Sequence, residues 1–199
     1  MRRLFATVYF AGIVAEMAIR VPHERRRNRT RMAVEQVDRQ ERALLGLLFL
    51  GMFFLPVTYA AAPSLMKRAD YRWSERARRR AGMLGTALLT AAVWLFWRSH
   101  ADLGRNWSPT LQLREEHQLV TGGVYRWVRH PMYASQWLWI IAQPLLLQNW
   151  VAGPAGSLLF LPLYILRVPR EEQMLLDQFG DRYRAYMAQT GGVVPRPRR

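Results

Sequence analysis

The sequence predicts an all-α integral membrane protein with about five transmembrane helices, a carboxyl-terminal helical hairpin and an interfacial amphipathic helix. Three observations carry that expectation. Long uncharged runs alternate with arginine-dense stretches, although the chain is slightly polar on average. Five of those runs approach the ~20 residues that cross a bilayer. Because open sheet edges cannot satisfy their backbone in hydrocarbon, the spans must be helical. The 199 residues contain no Gly/Ser-rich or Pro-rich linker, so residues 1–199 read as one membrane domain. Residues 1–100 supply the amino-terminal transmembrane helices and residues 101–199 the half that holds the candidate site.

The runs are Leu4 to Ile19, Ala43 to Ala62, Gly82 to Trp97, Met132 to Trp150 and Val151 to Leu166. The first follows Met-Arg-Arg without a clear small-residue cleavage pattern, and reads as a retained span. Glu16 within it is expensive in lipid, and its spacing of four from Arg20 permits a helical ion pair. The second run contains Pro56, which allows it to cross or to bend back. The last two runs are joined only by "QNWVAGPAG", whose Gly153, Pro154 and Gly156 signal a turn. So short a connection makes the flanking helices antiparallel neighbours. It brings the segment before Met132 and the segment after Leu166 to one face of the membrane. Gln136 and Gln143, seven apart, suit interhelical hydrogen bonds. After Pro169 the positions Met174, Leu175, Phe179, Arg182, Tyr183 and Tyr186 recur at helical spacing, which describes the amphipathic helix, with Gly180 weakening or ending it.

The net charge of +15 is distributed between spans, where anionic headgroups and topology signals account for it better than nucleic acid does. With the carboxyl end in the cytoplasm, the inner loops hold twenty Lys/Arg and the outer ones nine. That asymmetry favours an inner, cytoplasmic membrane location with the site facing the cytoplasm. The seven basic residues between Lys67 and Arg80 run against it. Trp97, Trp107, Trp127, Trp137 and Trp150 suit an interfacial aromatic belt. The absence of cysteine excludes a thiol nucleophile, thiolate-bound zinc and disulfides.

The hairpin brings "LVTGGVYRWVRHPMY" (119–133) together with "RVPREEQMLLDQFGDRYRAY" (167–186). Taken singly, Gly122-Gly123 reads as a turn, His130 as a residue turned out of helix by Pro131, and Glu171-Glu172 as a favourable helix start. Taken jointly, an arginine, a histidine, paired carboxylates and several tyrosines converge at a membrane face. Ionisable groups at that depth are functional-site candidates by default.

Those stretches, with "LGRNWSP" at 103–109, resemble the isoprenylcysteine carboxyl methyltransferases and their relatives among phospholipid methyltransferases. The resemblance covers the carboxyl-terminal half, in the order R-H-P-x-Y, hairpin, E-E-x-x-L-x-x-x-F-G-x-x-Y. It implies S-adenosyl-L-methionine as cofactor, bound between the R-H-P region and the helix with the paired glutamates. Leu119, Val120, Gly122, Val124, Tyr125, His130, Pro131 and Tyr133 would wrap its adenosine and methionine parts. Glu171 and Glu172 would hold its polar groups, foremost the ammonium. Arg167 and Glu171 are the catalytic candidates, with Arg167 sharing the helix face only if the helix continues through Pro169. Three departures from the family pattern stand out: Ser135 where glycine is common, Val124 where many relatives have proline, and Pro169 itself.

Methyl transfer from a sulfonium mainly requires positioning, worth ~7–11 kcal/mol, since the leaving group departs neutral. No residue presents itself as a dedicated base. This leans toward an acceptor already anionic, paired by Arg126, Arg129 or Arg167. The expected partners are the bilayer and a lipophilic methyl acceptor, a carboxylate, an amine or a thiol, and no nucleic acid; neither metal nor oligomeric state is indicated. Two other classes remain open: a multispan sterol-type reductase using NADPH, and a non-enzymatic lipid-binding scaffold.

Overall fold

A computed structural model of the chain describes residues 2–27, 32–35, 39–104, 112–114 and 118–197. Most of "LGRNWSP", with Trp107, and the start of the following stretch at His117 lie outside them. The order is α1 (Arg2–Arg27), β1 (Met32–Glu35), α2 (Arg39–Phe49), a π-helical turn (Leu50–Phe54), α3 (Leu55–Ala61), α4 (Pro63–Met66), α5 (Glu75–Leu103), β2 (Gln112–Arg114), α6 (Pro131–Leu147), α7 (Ala155–Phe179) and α8 (Asp181–Gln189). The architecture is helical as expected, with one small addition: β1 and β2 pair antiparallel, Val34 opposite Leu113.

Among the described residues three stretches are long and apolar enough to cross a membrane: Arg3–Glu24, Arg39–Ala61 and Glu75–Leu103. Beside them stand α6, at 17 residues, and α7, at 25. Their outer faces are greasy: Val14, Phe54, Met83, Trp94, Ile141, Leu158 and Ile165 are all exposed. Polar Gln143 and Tyr9 are fully buried instead. That inversion suits hydrocarbon solvent, which rewards an apolar surface and demands internal partners for polar groups.

Pro56 does not turn the second rod back. The N–H of Leu55 reaches Leu50 instead of Gly51, which makes the π turn and releases the Gly51 carbonyl; Pro56, having no N–H, leaves that of Met52 free as well. Both are satisfied from other helices. Gln143 Nε2 donates to Gly51 O at 2.9 Å, and the Tyr9 hydroxyl to Met52 O at 2.6 Å. Gln143 also donates to Ala152 O at 2.6 Å, so the expected interhelical role of this glutamine is observed. The rod from Arg39 to Ala61 therefore continues as helix without a break.

Helices α5 and α6 pack most extensively, because Gly85 lets Leu146 and Leu145 approach to where a Cβ would stand. The α6–α7 connection turns at Gln148 (φ 52°), and Asn149 Oδ1 caps the amides of Val151 and Ala152. Asn149 Nδ2 also donates to Met66 O and Asp70 Oδ1. The basic segment from Lys67 onward is thus docked on the hairpin turn. His130, Glu171 and the ends of α1 and α5 lie at the opposite end of the rods. Trp97, Trp127 and Trp150 are exposed as a belt requires, but Trp137 packs edge-on against Phe160 and Tyr164 in the core.

Candidate functional site

Pro131 opens α6 as its first residue, a position where its missing N–H costs nothing, and it holds His130 out of the helix at φ −122°. Opposite, α7 continues through Pro162 and Pro169 without interruption to Gly180, whose φ of 53° ends it. The expectation that Pro169 could break the helix is corrected, and α8 follows as a separate helix. Consecutive residues on a helix diverge by about 100°, so Glu171 and Glu172 have different partners.

Glu172 is a clamp. Its Oε1 accepts from His130 Nε2 at 2.9 Å and from Arg129 Nε and Nη2 at 3.0 and 2.9 Å. Since a carboxylate can only accept, His130 must carry its proton on Nε2. The hydrogen bond from His130, opposed by burial and reinforced by Arg129, holds the Glu172 carboxyl down at about 2. Arg129 Nη1 also donates to Thr190 O, while the amides of Arg129 and His130 donate to Gly191 O and Gly192 O at 2.8 and 3.0 Å. The chain after α8 thereby straps the Arg-His-Pro turn.

Glu171 faces inward. Its Oε2 accepts from the Tyr133 hydroxyl at 2.9 Å, and its Oε1 lies 3.9 Å from His130 Nδ1. Its side chain keeps 35% of its surface accessible, toward a cavity of about 510 Å³. Of the residues singled out in the sequence, Leu119, Val120, Tyr125, His130, Pro131, Tyr133, Arg167 and Glu171 line this cavity. Gly122, Val124 and Glu172 do not; they support the wall from behind.

That support comes from a residue the sequence reading passed over. Asp102, at the end of α5, accepts the Val124 amide at 2.9 Å through Oδ2 and the Arg98 guanidinium at 2.6 Å through Oδ1. Gly123 has φ 58°, and a Cβ there would come within 2.1 Å of Asp102 Oδ2. The second glycine of the pair is needed for the turn that presents Tyr125. Burial foremost, then the charge of Glu171, pushes the Tyr125 hydroxyl well above its usual range, so it remains neutral. It donates to Ser99 O at 3.3 Å, and Tyr186 in turn donates to Tyr125 O. A lone aspartate at a helix end carries no distinctive spacing, which is why the sequence did not disclose it.

Arg167 is buried in an ion pair with Glu41 of α2, Nη1 to Oε1 at 3.1 Å. Arg126 lies over the Trp127 ring, 4.8 Å from its centroid. With Arg129 held by Glu172, each arginine considered for an anionic acceptor is engaged by this chain's own groups. Glu16 does not simply pair with Arg20: Gln136 Nε2 donates to Glu16 Oε1 at 2.9 Å, and Arg20 lies 5.8 Å over the Phe96 ring. Among the described residues no cluster of side chains suits a metal ion.

The cavity has two characters. Its polar end is walled by Gln118, Tyr125, His130, Glu171, Tyr183 and Tyr186, and its deeper arm by Leu45, Phe49, Met52, Phe53, Phe160 and Leu163. Met17 and Phe49 both line the cavity and are exposed on the outer surface. Helix α1 packs on α5 and α6, and α2 on α7, so the arm opens sideways between α1 and α2.

Comparison with known proteins agrees with this geometry. Residues 83–177 match the isoprenylcysteine carboxyl methyltransferase (ICMT) family. A protein-S-isoprenylcysteine O-methyltransferase of Tribolium castaneum is 36% identical over 112 residues, covering 55% of this chain and 36% of the relative. Protein-S-isoprenylcysteine O-methyltransferase A of Arabidopsis thaliana is 33% identical over 113 residues, 57% of this chain and 55% of the relative. The chain thus spans between about a third and just over half of the length of these relatives. The solved structure of a eukaryotic intramembrane Ras methyltransferase, ICMT, superposes with a TM-score of 0.50 at 24% identity over 81% of this chain and 54% of that one, a likeness of fold. The resemblance read from R-H-P, the hairpin and the paired glutamates therefore holds: residues 83–177, from α5 into α7, are similar to the isoprenylcysteine carboxyl methyltransferase family.

Proposed function

We propose that this protein is an integral membrane methyltransferase that takes its methyl group from S-adenosyl-L-methionine and delivers it to a lipophilic acceptor. The observation that carries the reading is a cavity with a polar, aromatic end at the Arg-His-Pro turn and an apolar arm whose lining residues Met17 and Phe49 are also exposed on the outer surface. Its volume is in the range of small-molecule sites, ~300–1,000 Å³. When bound, the cofactor supplies an electrophilic methyl group on a sulfonium.

The residues present fit such a molecule. Tyr183 is 1% exposed, lines the cavity, and its hydroxyl has no hydrogen-bond partner among the described residues, leaving a donor for a ligand. Glu171 offers a carboxylate to an ammonium, and the faces of Tyr125, Tyr133 and Tyr186 suit a sulfonium through cation–π attraction. Tyr133 orients Glu171, while Glu172 fixes the tautomer of His130 and pairs with Arg129 at the cavity wall. Leu119 and Val120 would cover an adenine. A nucleotide rich in phosphates would meet the Glu171 carboxylate there and an arginine already paired, which disfavours NADPH.

Catalytic roles for Glu171 and Arg167 rest on their place at the two ends of the polar wall. Glu171 would position the cofactor; Arg167, tied to Glu41, would shape the boundary with the apolar arm. The two shorter rods, α6 and α7, would make five crossings. The excess of basic residues at the site end supports a cytoplasmic mouth.

Isothermal titration of the detergent-solubilised protein with S-adenosylhomocysteine tests the reading. Binding by the wild type, weakened at least tenfold by Glu171→Gln, is expected. Absence of binding by the wild type, or binding of NADPH in its place, would overturn it.

A further inference from the structure

The chain between α3 and α5 lies at the end of the bundle away from the cavity, and it is fastened there. The amide of Tyr71 donates to Gln148 O at 2.9 Å and that of Trp150 to Ala69 O at 2.8 Å, so this segment pairs with the α6–α7 turn. Arg78 reaches back into the same junction. Its Nη2 donates to Tyr71 O at 2.6 Å and its Nε to Trp73 O at 2.9 Å, while its own carbonyl accepts from Gln148 Nε2 at 2.8 Å. Buried Tyr71 stands between Trp73 and Trp150, with ring centroids 4.5 and 4.7 Å away. One arginine of this basic stretch is therefore used to build a rigid platform.

The other basic residues, Lys67, Arg68, Arg72, Arg76, Arg79 and Arg80, are exposed, and among the described residues none of them forms an ion pair. Arg76, Arg79 and Arg80 stand three and four apart and share one face at the start of α5. That is the positive end of the helix dipole, where clustered cations are unfavourable unless an anion lies among them. The first turn sets only Glu75 against them.

Position decides what such an anion is. The segment joins the rod that ends at Ala61 to the rod that begins at Glu75, and its ties to the α6–α7 turn hold it at the rod ends, the depth of lipid headgroups. Beside the cations, Trp73, Trp150 and Leu65 are 38%, 67% and 75% exposed. Tryptophan at a rod end suits the boundary between headgroup and acyl chain. Arginines and apolar anchors in one layer match a phosphodiester that carries acyl chains; an acidic protein would satisfy the arginines alone.

We infer that this platform is a binding surface for anionic phospholipid, on the membrane face opposite the cavity. Arg76, Arg79 and Arg80 take the phosphodiester oxygens, Lys67, Arg68 and Arg72 add to the attracting field, and the two tryptophans lie beside the acyl chains. The basic stretch that runs against the charge asymmetry of the chain thereby has a partner of its own.

The test follows thermal unfolding of the full-length protein in detergent micelles containing phosphatidylglycerol or phosphatidylcholine. Phosphatidylglycerol is expected to raise the unfolding temperature and phosphatidylcholine to leave it unchanged. Each cation near an anionic surface changes affinity roughly fivefold, so the phosphatidylglycerol content giving half the rise should increase at least about tenfold when Arg76→Gln, Arg79→Gln and Arg80→Gln are combined. Lysine at the same three positions keeps the charge and should lie closer to wild type than to the glutamine variant. Arg182→Gln with Arg184→Gln removes exposed cations at the other end of the rods, beyond the ~10 Å screening length, and should stay within about twofold. No preference for phosphatidylglycerol, an equal loss from the Arg182 and Arg184 pair, or a lysine variant as weak as the glutamine one would overturn the inference. So would an equal rise from glycerol phosphate or polyglutamate, which would make the partner a free phosphate or an acidic chain. None of these outcomes bears on S-adenosylhomocysteine binding, so the methyltransferase reading is decided separately.

Discussion

The two adjacent glycines at 122 and 123 offer a controlled perturbation, because they look equivalent in sequence and differ in the structure. At Gly123 the φ of 58° costs a residue with a side chain roughly 1–2 kcal/mol. The new Cβ would stand within 2.1 Å of Asp102 Oδ2. It would displace that carboxylate from the Val124 amide and forfeit a hydrogen bond to a charged group, worth ~1.5–3 kcal/mol. The sum, about 2.5–5 kcal/mol, falls on the turn that presents Tyr125 rather than on the bundle. If only the intact turn binds cofactor, Gly123→Ala should weaken S-adenosylhomocysteine at least about 10²-fold. Gly122 has φ −93° and open space around its missing Cβ, so Gly122→Ala should stay within about twofold. Titration calorimetry in detergent reads both variants, with thermal unfolding as the control for global folding. Equal effects from the two substitutions, or an unchanged affinity in Gly123→Ala, would refute the role assigned to Asp102.

Two further outcomes are expected. The carboxyl of Glu172 is held at about 2, below its ordinary 4.5, so the stability it confers is fully present above about 4.5 and is lost as pH falls toward 2. The difference in thermal stability between wild type and Glu172→Gln should accordingly be constant from neutral pH to about 5 and shrink below that; a difference that grows on acidification would contradict the clamp. For the buried pair, Arg167→Met alone should cost ~3–5 kcal/mol by breaking the ion pair with Glu41, and Arg167→Met with Glu41→Met should restore most of it. Folding restored without methyl transfer would support a role for Arg167 at the reacting centre; folding and transfer restored together would make it structural.

Much of the molecule was legible before any coordinates, because hydrocarbon leaves few choices. An uncharged run of sufficient length must be a helix, and a nine-residue connection with Gly-Pro-Gly character must make its helices antiparallel. The convergence of Arg129, His130 and Glu172 follows from that hairpin, as does the wall formed by Tyr133 and Glu171. The local signals at Pro56 and Pro169 misled in one direction: both suggested interruption, and both lie in helices that continue. At Pro56 a π turn absorbs the missing hydrogen bond and Tyr9 and Gln143 complete it, which involves residues 43 or more positions away.

What the sequence alone determined is the helical membrane class, the paired final rods and the polar residues gathered at their open ends, since each depends on short-range pattern and chain connectivity. Tertiary structure alone decided which of two neighbouring glutamates enters the cavity, which arginines are already occupied, and that Glu16 of the first helix lines the cavity. Those outcomes depend on which side chains from distant segments arrive at the same few ångströms, and a single polar residue on an apolar helix does not announce its partner.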